Sequence, residues 1–302
     1  MKIIIGDIHA CRAELEELLD KIGFGKDDQA IALGDIFDRG PDNRGILRLF
    51  TENPQFLTLK GNHERKHLLI NKNKCKAALS QMITKEELGD DYPRLLSFAR
   101  NLPLYIKLDE AILVHGAIEP GIPLENQDEK ILVSSIGGEK YLERLSMPWY
   151  ELVDFGKPVI FGHKVYETPF ILKNRVYGID TGCCRGGSLT AITLPDFRIY
   201  SVKARENYWK HNSEGYKQRH PELFVKKKKE KHPGLNIEKT YGAVTELADK
   251  LKSETSSRKE FAAEVKKRNL PSVLFRAYAG KLTLDFIRKI DASKLGDLAK
   301  YK

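Results

Sequence analysis

The chain has 302 residues, 41% hydrophobic and 31% charged, the balance of a globular protein with room for one large core and a smaller unit. No apolar run approaches the ~18–20 residues that span a bilayer, and the first apolar stretch meets Gly6-Asp7 too early for a secretory signal, so a cytoplasmic protein starting at Met1, with no membrane partner, is expected. The net charge of +9 is uneven: residues 206–302 hold 23 basic and 13 acidic side chains, a net +10, whereas residues 1–205 carry a net −1. Cys11, Cys75, Cys183 and Cys184 include no C-x-x-C pair, which argues against a disulfide framework or a cysteine-based zinc site, and Cys183 and Cys184 read as small buried residues.

Taken in order, Lys2 to Ile5 predicts a strand and Arg12 to Ile22 a helix, with Leu15, Leu18, Leu19 and Ile22 at helical spacing. Ala30 to Leu33 predicts a second strand, Arg44 to Phe50 a helix, and Phe56 to Leu59 a third strand. Asn71 to Asn101 reads as helical cover, and Glu119 to Phe155 as an irregular region carrying Trp149, which either packs that cover or stacks a base. Further strands are expected at Ala111–Val114, Val159–Phe161, Val176–Ile179, Leu189–Leu194 and Ile199–Val202. Strands alternating with helices predict an α/β core of sheets flanked by helices over residues 1–205. Residues 206–302 predict a linker with a basic run, Lys226–Lys231, and then a small helical appendage; Ser257 to Glu260 looks like a capping box, with Phe261 and Val265 facing inward.

Five short motifs follow expected strands: Gly6-Asp7-Ile8-His9, Gly34 to Gly40, Gly61-Asn62-His63-Glu64, His115-Gly116 and Gly162-His163. In each, a glycine lets the chain turn and polar side chains are displayed beyond the strand's C-terminal end, where open α/β sheets place ligands. Taken singly, Asp7 and Asp35 could be helix N-caps, and His115 and His163 satisfied core histidines. Together they form a mixed oxygen and imidazole set that suits manganese, iron or zinc better than magnesium or calcium.

These motifs resemble the phosphoprotein phosphatase branch of the calcineurin-like metallophosphoesterases, over about residues 1 to 205; Ile179 to Cys183 and Leu189 to Ala191 resemble the bacterial members. The resemblance implies a metallophosphoesterase β-sandwich and a two-metal hydrolysis of phosphate esters by a metal-bound hydroxide. It implies that Asp7 and His9 hold one ion, that Asp35 bridges both, and that Asn62, His115 and His163 complete the second. The ions would be two divalent cations about 3.5–4 Å apart, manganese first, with iron, zinc or nickel as alternatives. Arg39 would fork onto phosphate oxygens. His63 would be the general acid oriented by Asp38, and Asp180 would reach a ligand histidine from behind. Ala10 stands where the family has glycine, His115-Gly116-Ala117 departs from the usual order, and Arg144 and Arg185 are unaligned candidates for a second phosphate arginine.

The basic tail is either a solvated linker, a partner-docking module or a footprint for nucleic acid, RNA or DNA. Arg258 to Ala262 and Ser272 to Lys281 resemble the C-terminal helical segment of some phage-type RNA ligases, and Tyr208 and Trp209 would suit single strands. The substrate expectations are therefore RNA ends or nucleotides first, then phosphoserine or phosphothreonine proteins, then dinucleoside tetraphosphates.

Overall fold

The structure is a computed structural model and describes residues 1–224 and 237–290. The chain divides into two compact units, Met1–Phe224 and Val225–Lys302. The first contains β1 (Lys2–Ile5), α1 (Arg12–Ile22), β2 (Gln29–Ala32), α2 (Asn43–Glu52), β3 (Phe56–Thr58), α3 (Asn62–Asn71), α4 (Leu79–Leu88) and α5 (Tyr92–Arg100). It continues through β4 (Tyr105–Lys107), β5 (Ile112–Val114), α6 (Glu129–Leu132), α7 (Ile136–Leu142), α8 (Trp149–Leu152), β6 (Val159–Phe161) and β7 (Phe170–Leu172). It ends with β8 (Val176–Gly178), β9 (Ser188–Leu194), β10 (Ile199–Lys203) and α9 (Tyr208–Arg219).

The strands form two five-stranded mixed sheets, in the orders β10-β9-β1-β2-β3 and β4-β5-β6-β8-β7. Each contains a parallel trio, β1-β2-β3 in one and β5-β6-β8 in the other. Strand periodicity explains the layering. In β1, Ile4 joins Ile31, Leu113, Ile160 and Ile192 in the core between the sheets, while Ile3 and Ile5 face Leu15, Leu18 and Phe50 under the helices. In the second sheet, Leu113 and Ile160 turn to the sandwich core, while Val114 and Phe161 turn outward to a cluster that includes Trp149 and Leu132. Strands buried on both faces read as continuous apolar runs, and this made them visible in the sequence.

Two edge strands, β4 and β7, were not expected, and the region foreseen as irregular contains the short helices α6, α7 and α8. Trp149 is packed edge-on against Phe161 and Tyr150. A larger difference concerns residues 206–224, expected in the appendage: α9 belongs to the first unit. Its Tyr208 hydroxyl donates to the buried Glu14 carboxylate at 2.7 Å, so a polar helix is tied to α1 through a contact that local sequence does not announce.

The second unit contains α10 (Ile237–Glu254), α11 (Arg258–Lys267), α12 (Leu274–Tyr278) and α13 (Leu284–Lys289) around Val244, Leu251, Phe261, Val265, Leu274 and Ile287. Ser257 caps α11 reciprocally with Glu260. The Lys226–Lys231 run lies outside the described residues. No described helix is long and apolar enough to cross a membrane.

Candidate metal centre

The loops that leave the C-terminal ends of both parallel trios meet at one rim. β1 delivers Asp7 and His9, β2 delivers Asp35, Asp38 and Arg39, and β3 leads into Asn62 and His63 at the start of α3. From the second sheet come His115 after β5, His163 after β6 and Asp180 after β8. His9, Asp35, Asp38, Arg39 and His163 all have positive φ, between 46° and 73°, as does Ala10 at 57°. Side chains other than glycine seldom occupy that region, and such strain gathers where a site over-determines the backbone. Gly61 is required for a second reason: a Cβ there would lie 2.1 Å from Asp35 Oδ1.

Asp35 lies between two groups of donors. Its Oδ2 is 3.8 Å from His9 Nε2 and 3.8 Å from His63 Nε2, and its Oδ1 is 3.6 Å from His115 Nε2. The histidine tautomers are fixed by what the far nitrogen meets. His9 Nδ1 donates to the Phe37 carbonyl at 2.7 Å and His115 Nδ1 to the Leu33 carbonyl at 2.9 Å, so each presents Nε2 to the centre. His163 is reversed: Nε2 donates to Glu139 at 2.9 Å and Nδ1 faces inward. Asn62 Oδ1 then stands 3.0 Å from His115 Nε2 and 2.9 Å from His163 Nδ1.

With these tautomers, Asn62 Oδ1, His115 Nε2 and His163 Nδ1 converge beside Asp35, and Asp35, His115 and His163 offer ligand atoms within 4.8 Å of one another, a mixed oxygen and imidazole set that fits a divalent metal. The carboxylates agree. Burial, then the charges of Asp180 and Asp35, hold the Asp7 pKa well above its usual range. Burial also raises Asp180, to about 6, with Asp35 adding to the shift. Asp35 itself is lowered: burial opposes ionisation, but His115, His63 and His9 outweigh it. Burial lowers His115 to about 4 and, with Arg39 and His63, holds His9 well below normal, leaving the neutral imidazoles that metals bind. Asp180 accepts the Gly182 N–H at 2.9 Å, so its bond goes to backbone where a histidine was expected.

Asp38, completely buried, accepts four side-chain donors. His63 Nδ1 at 2.5 Å and Gln81 Nε2 at 2.5 Å reach Oδ2; His67 Nε2 at 3.0 Å and Thr84 Oγ1 at 2.5 Å reach Oδ1. Burial alone would raise its pKa, but His67 and His63 hold it well below the usual range. His67, Gln81 and Thr84 were not anticipated; the one available signal was His67 lying one helical turn beyond His63. Glu64, in the third motif, holds that motif to the second. Its carboxylate accepts the N–H groups of Asp35 and Gly61 at 2.9 Å, Ile36 at 3.1 Å and Phe37 at 3.4 Å, tying the β2 loop to the start of α3. Burial, then the Asp35 charge, pushes its carboxyl up to about 7.

Arg39 sits at the centre, its guanidinium donating to His9 Nε2 at 2.7 Å. Arg144 and Arg185 are both exposed, and no described hydrogen bond or ion pair draws either to Asp35. Cys11, Cys183 and Cys184 are buried.

Residues 3–250 match the family model described as calcineurin-like phosphoesterase. The bis(5'-nucleosyl)-tetraphosphatase PrpE (asymmetrical) of Oceanobacillus iheyensis is 28% identical over 240 residues, which cover 69% of this chain and 94% of that protein. The symmetrical bis(5'-nucleosyl)-tetraphosphatase of Wigglesworthia glossinidia brevipalpis is 26% identical over 273 residues, covering 67% of this chain and 98% of that protein. A crystal structure provisionally described as a diadenosine tetraphosphatase superposes with a TM-score of 0.55 at 26% identity, covering 67% of this chain and 93% of the other. Because the match takes in most of the first unit and all five motifs, the chain belongs to the calcineurin-like phosphoesterases, metal-dependent hydrolases of phosphoric esters with a dinuclear divalent centre.

Proposed function

We propose that the chain hydrolyses the phosphate chain of nucleotides, with a dinucleoside tetraphosphate as its substrate. The observation that carries the reaction is the position of Asp35, within 3.8 Å of His9 Nε2 on one side and 3.6 Å of His115 Nε2 on the other. Asp7, His9 and Asp35 would hold one ion, and Asp35, Asn62, His115 and His163 the other. The mixed oxygen and nitrogen donors favour manganese. When bound, two such ions neutralise phosphate charge and lower the pKa of water enough to supply a nucleophile near neutral pH.

The protein's own groups do the rest. Arg39 is placed at the same centre as a two-pronged donor for phosphate oxygens. His63 keeps Nε2 on the centre side because its Nδ1 is committed to Asp38. A proton on Nε2 passes to the leaving oxygen as the P–O bond breaks, and the ionised Asp38 stabilises the imidazolium that supplies it. Four donors fix both oxygens of Asp38, so the ring it holds has one orientation.

The choice of substrate is supported by relatives that carry tetraphosphatase names across nearly their whole length. The RNA-end reading rests on tail charge, on Tyr208 and Trp209 and on a short resemblance to RNA ligases, and the densest basic stretch lies outside the described residues. The test is a competition at equal concentration, with manganese, among diadenosine tetraphosphate, an end-phosphorylated RNA oligomer and a phosphoserine peptide. The tetraphosphate should turn over fastest, and its products identify the phosphorus attacked: two ADP for symmetrical cleavage, ATP and AMP for asymmetrical. Faster release from the peptide or the RNA would overturn the substrate assignment.

A further inference from the structure

We propose that Asn212, on α9, is a positioning residue for Arg39, and that α9 is therefore part of the active-site framework. The inference rests on the reading that Arg39 binds substrate phosphate. The side-chain amide of Asn212 donates to two consecutive carbonyls, Arg39 O at 2.9 Å and Gly40 O at 3.0 Å. Both partners are acceptors, so the amide nitrogen must face them. An aspartate in the same place would set oxygen against oxygen.

The segment it grips is one that needs holding. Asp38 and Arg39 are successive non-glycine residues at φ 73° and 69°, and Gly40 N–H closes back on the Asp38 carbonyl at 2.8 Å. Each left-handed residue costs on the order of 1–2 kcal/mol and persists only where its surroundings fix it. From one side the segment is pressed against the first motif, because a Cβ on Gly40 would lie 1.9 Å from the His9 carbonyl oxygen. At its start, Asp38 N–H donates to Asn43 Oδ1 at 2.7 Å. Asn212 holds the two carbonyls that follow, and these set the direction in which the Arg39 side chain leaves the backbone.

The helix carrying Asn212 is itself anchored. Asn207 caps it by accepting the Lys210 N–H at 3.0 Å, and Tyr208 donates to buried Glu14, whose same oxygen also accepts the Arg205 N–H at 3.1 Å. Asn212 thus transmits a fixed position to a strained loop. A guanidinium that must meet two phosphate oxygens at once is sensitive to displacements of about an ångström.

The test uses the full-length protein in a double-mutant cycle: wild type, Asn212→Ala, Arg39→Ala and the double variant. The readouts are KM for p-nitrophenyl phosphate, Ki for inorganic phosphate and the melting temperature. Asn212→Ala should raise KM and Ki by about ten-fold and shift them by less than about two-fold when Arg39 is already alanine. Asn212→Asp should be at least as damaging. An equal loss in both backgrounds would mean a merely structural role and overturn the inference, as would unchanged KM and Ki in Asn212→Ala. If Arg39→Ala alone left both constants unchanged, the phosphate-binding role of Arg39 would fall, and the inference with it. Should the alanine variant not fold, Asn212→Ser keeps one donor and is read in the same cycle, with a smaller shift.

Discussion

His63 Nδ1 and an Asp38 carboxylate oxygen lie 2.5 Å apart although 25 positions separate them, and the pair orients the His63 ring toward Asp35. Within the proposed mechanism, His63→Ala should slow an alkyl phosphate by about 10²–10⁴-fold. It should slow p-nitrophenyl phosphate far less, because that leaving group needs little protonation. Steady-state rates on a series of leaving groups check this. Equal slowing across the series would remove His63 from the acid role.

Asp38 gives a pH signature. Its folded pKa lies well below the unfolded value of about 3.9, so its contribution is complete above that value and is lost as pH falls toward the folded pKa. Asp38→Asn should destabilise the metal-free protein by about 2–3 kcal/mol at neutral pH, because the new amide opposes donors that were satisfied. The gap to wild type should narrow below about pH 4. Urea unfolding at a series of pH values measures it, and a constant gap into strong acid would contradict the assignment.

Glu64 accepts backbone N–H groups on both oxygens. Glu64→Gln keeps one acceptor and turns an amide toward the other N–H groups, at a cost of about 2–3 kcal/mol. The same change loosens the loop that carries Asp35. Chemical denaturation should show the loss in stability, and metal retention on dialysis should fall with it.

The boundary of the first unit makes a truncation informative. A chain ending at Phe224 keeps α9 and should hydrolyse p-nitrophenyl phosphate within a few-fold of the full protein. A chain ending at Arg205 removes the Tyr208–Glu14 and Asn212–Arg39 contacts and should be unstable or nearly inactive. Equal activity of the two would show that α9 contributes nothing to the site.

The residues that could be read from sequence share a local signature. Asp7, Asp35, Asn62, His115 and His163 each follow an apolar strand and a turn, so strand periodicity and glycine placement reveal them together. Gln81, Thr84 and Asn212 carry no such mark. Gln81 and Thr84 lie inside a helix read only as cover, and reach Asp38 across 43 and 46 positions. Asn212 reaches Arg39 across 173. These contacts are set by tertiary packing of helices whose local pattern is ordinary. The same cause hid the place of α9: its polar, basic sequence reads as a tail, and the contacts of Tyr208 and Asn212 tie it to the first unit. Strands β4 and β7 were missed because, unlike the equally short edge strand β3, neither contains a fully buried residue.

The most direct test of the two-metal account is the metal content of purified wild-type and Asp35→Asn protein, measured by mass spectrometry after manganese loading and dialysis, alongside turnover of p-nitrophenyl phosphate. The shared position of Asp35 predicts about two ions per wild-type chain. It also predicts loss of ions from both groups in the variant, with turnover near background. Two ions retained by the variant with near-normal turnover would contradict a centre built around Asp35.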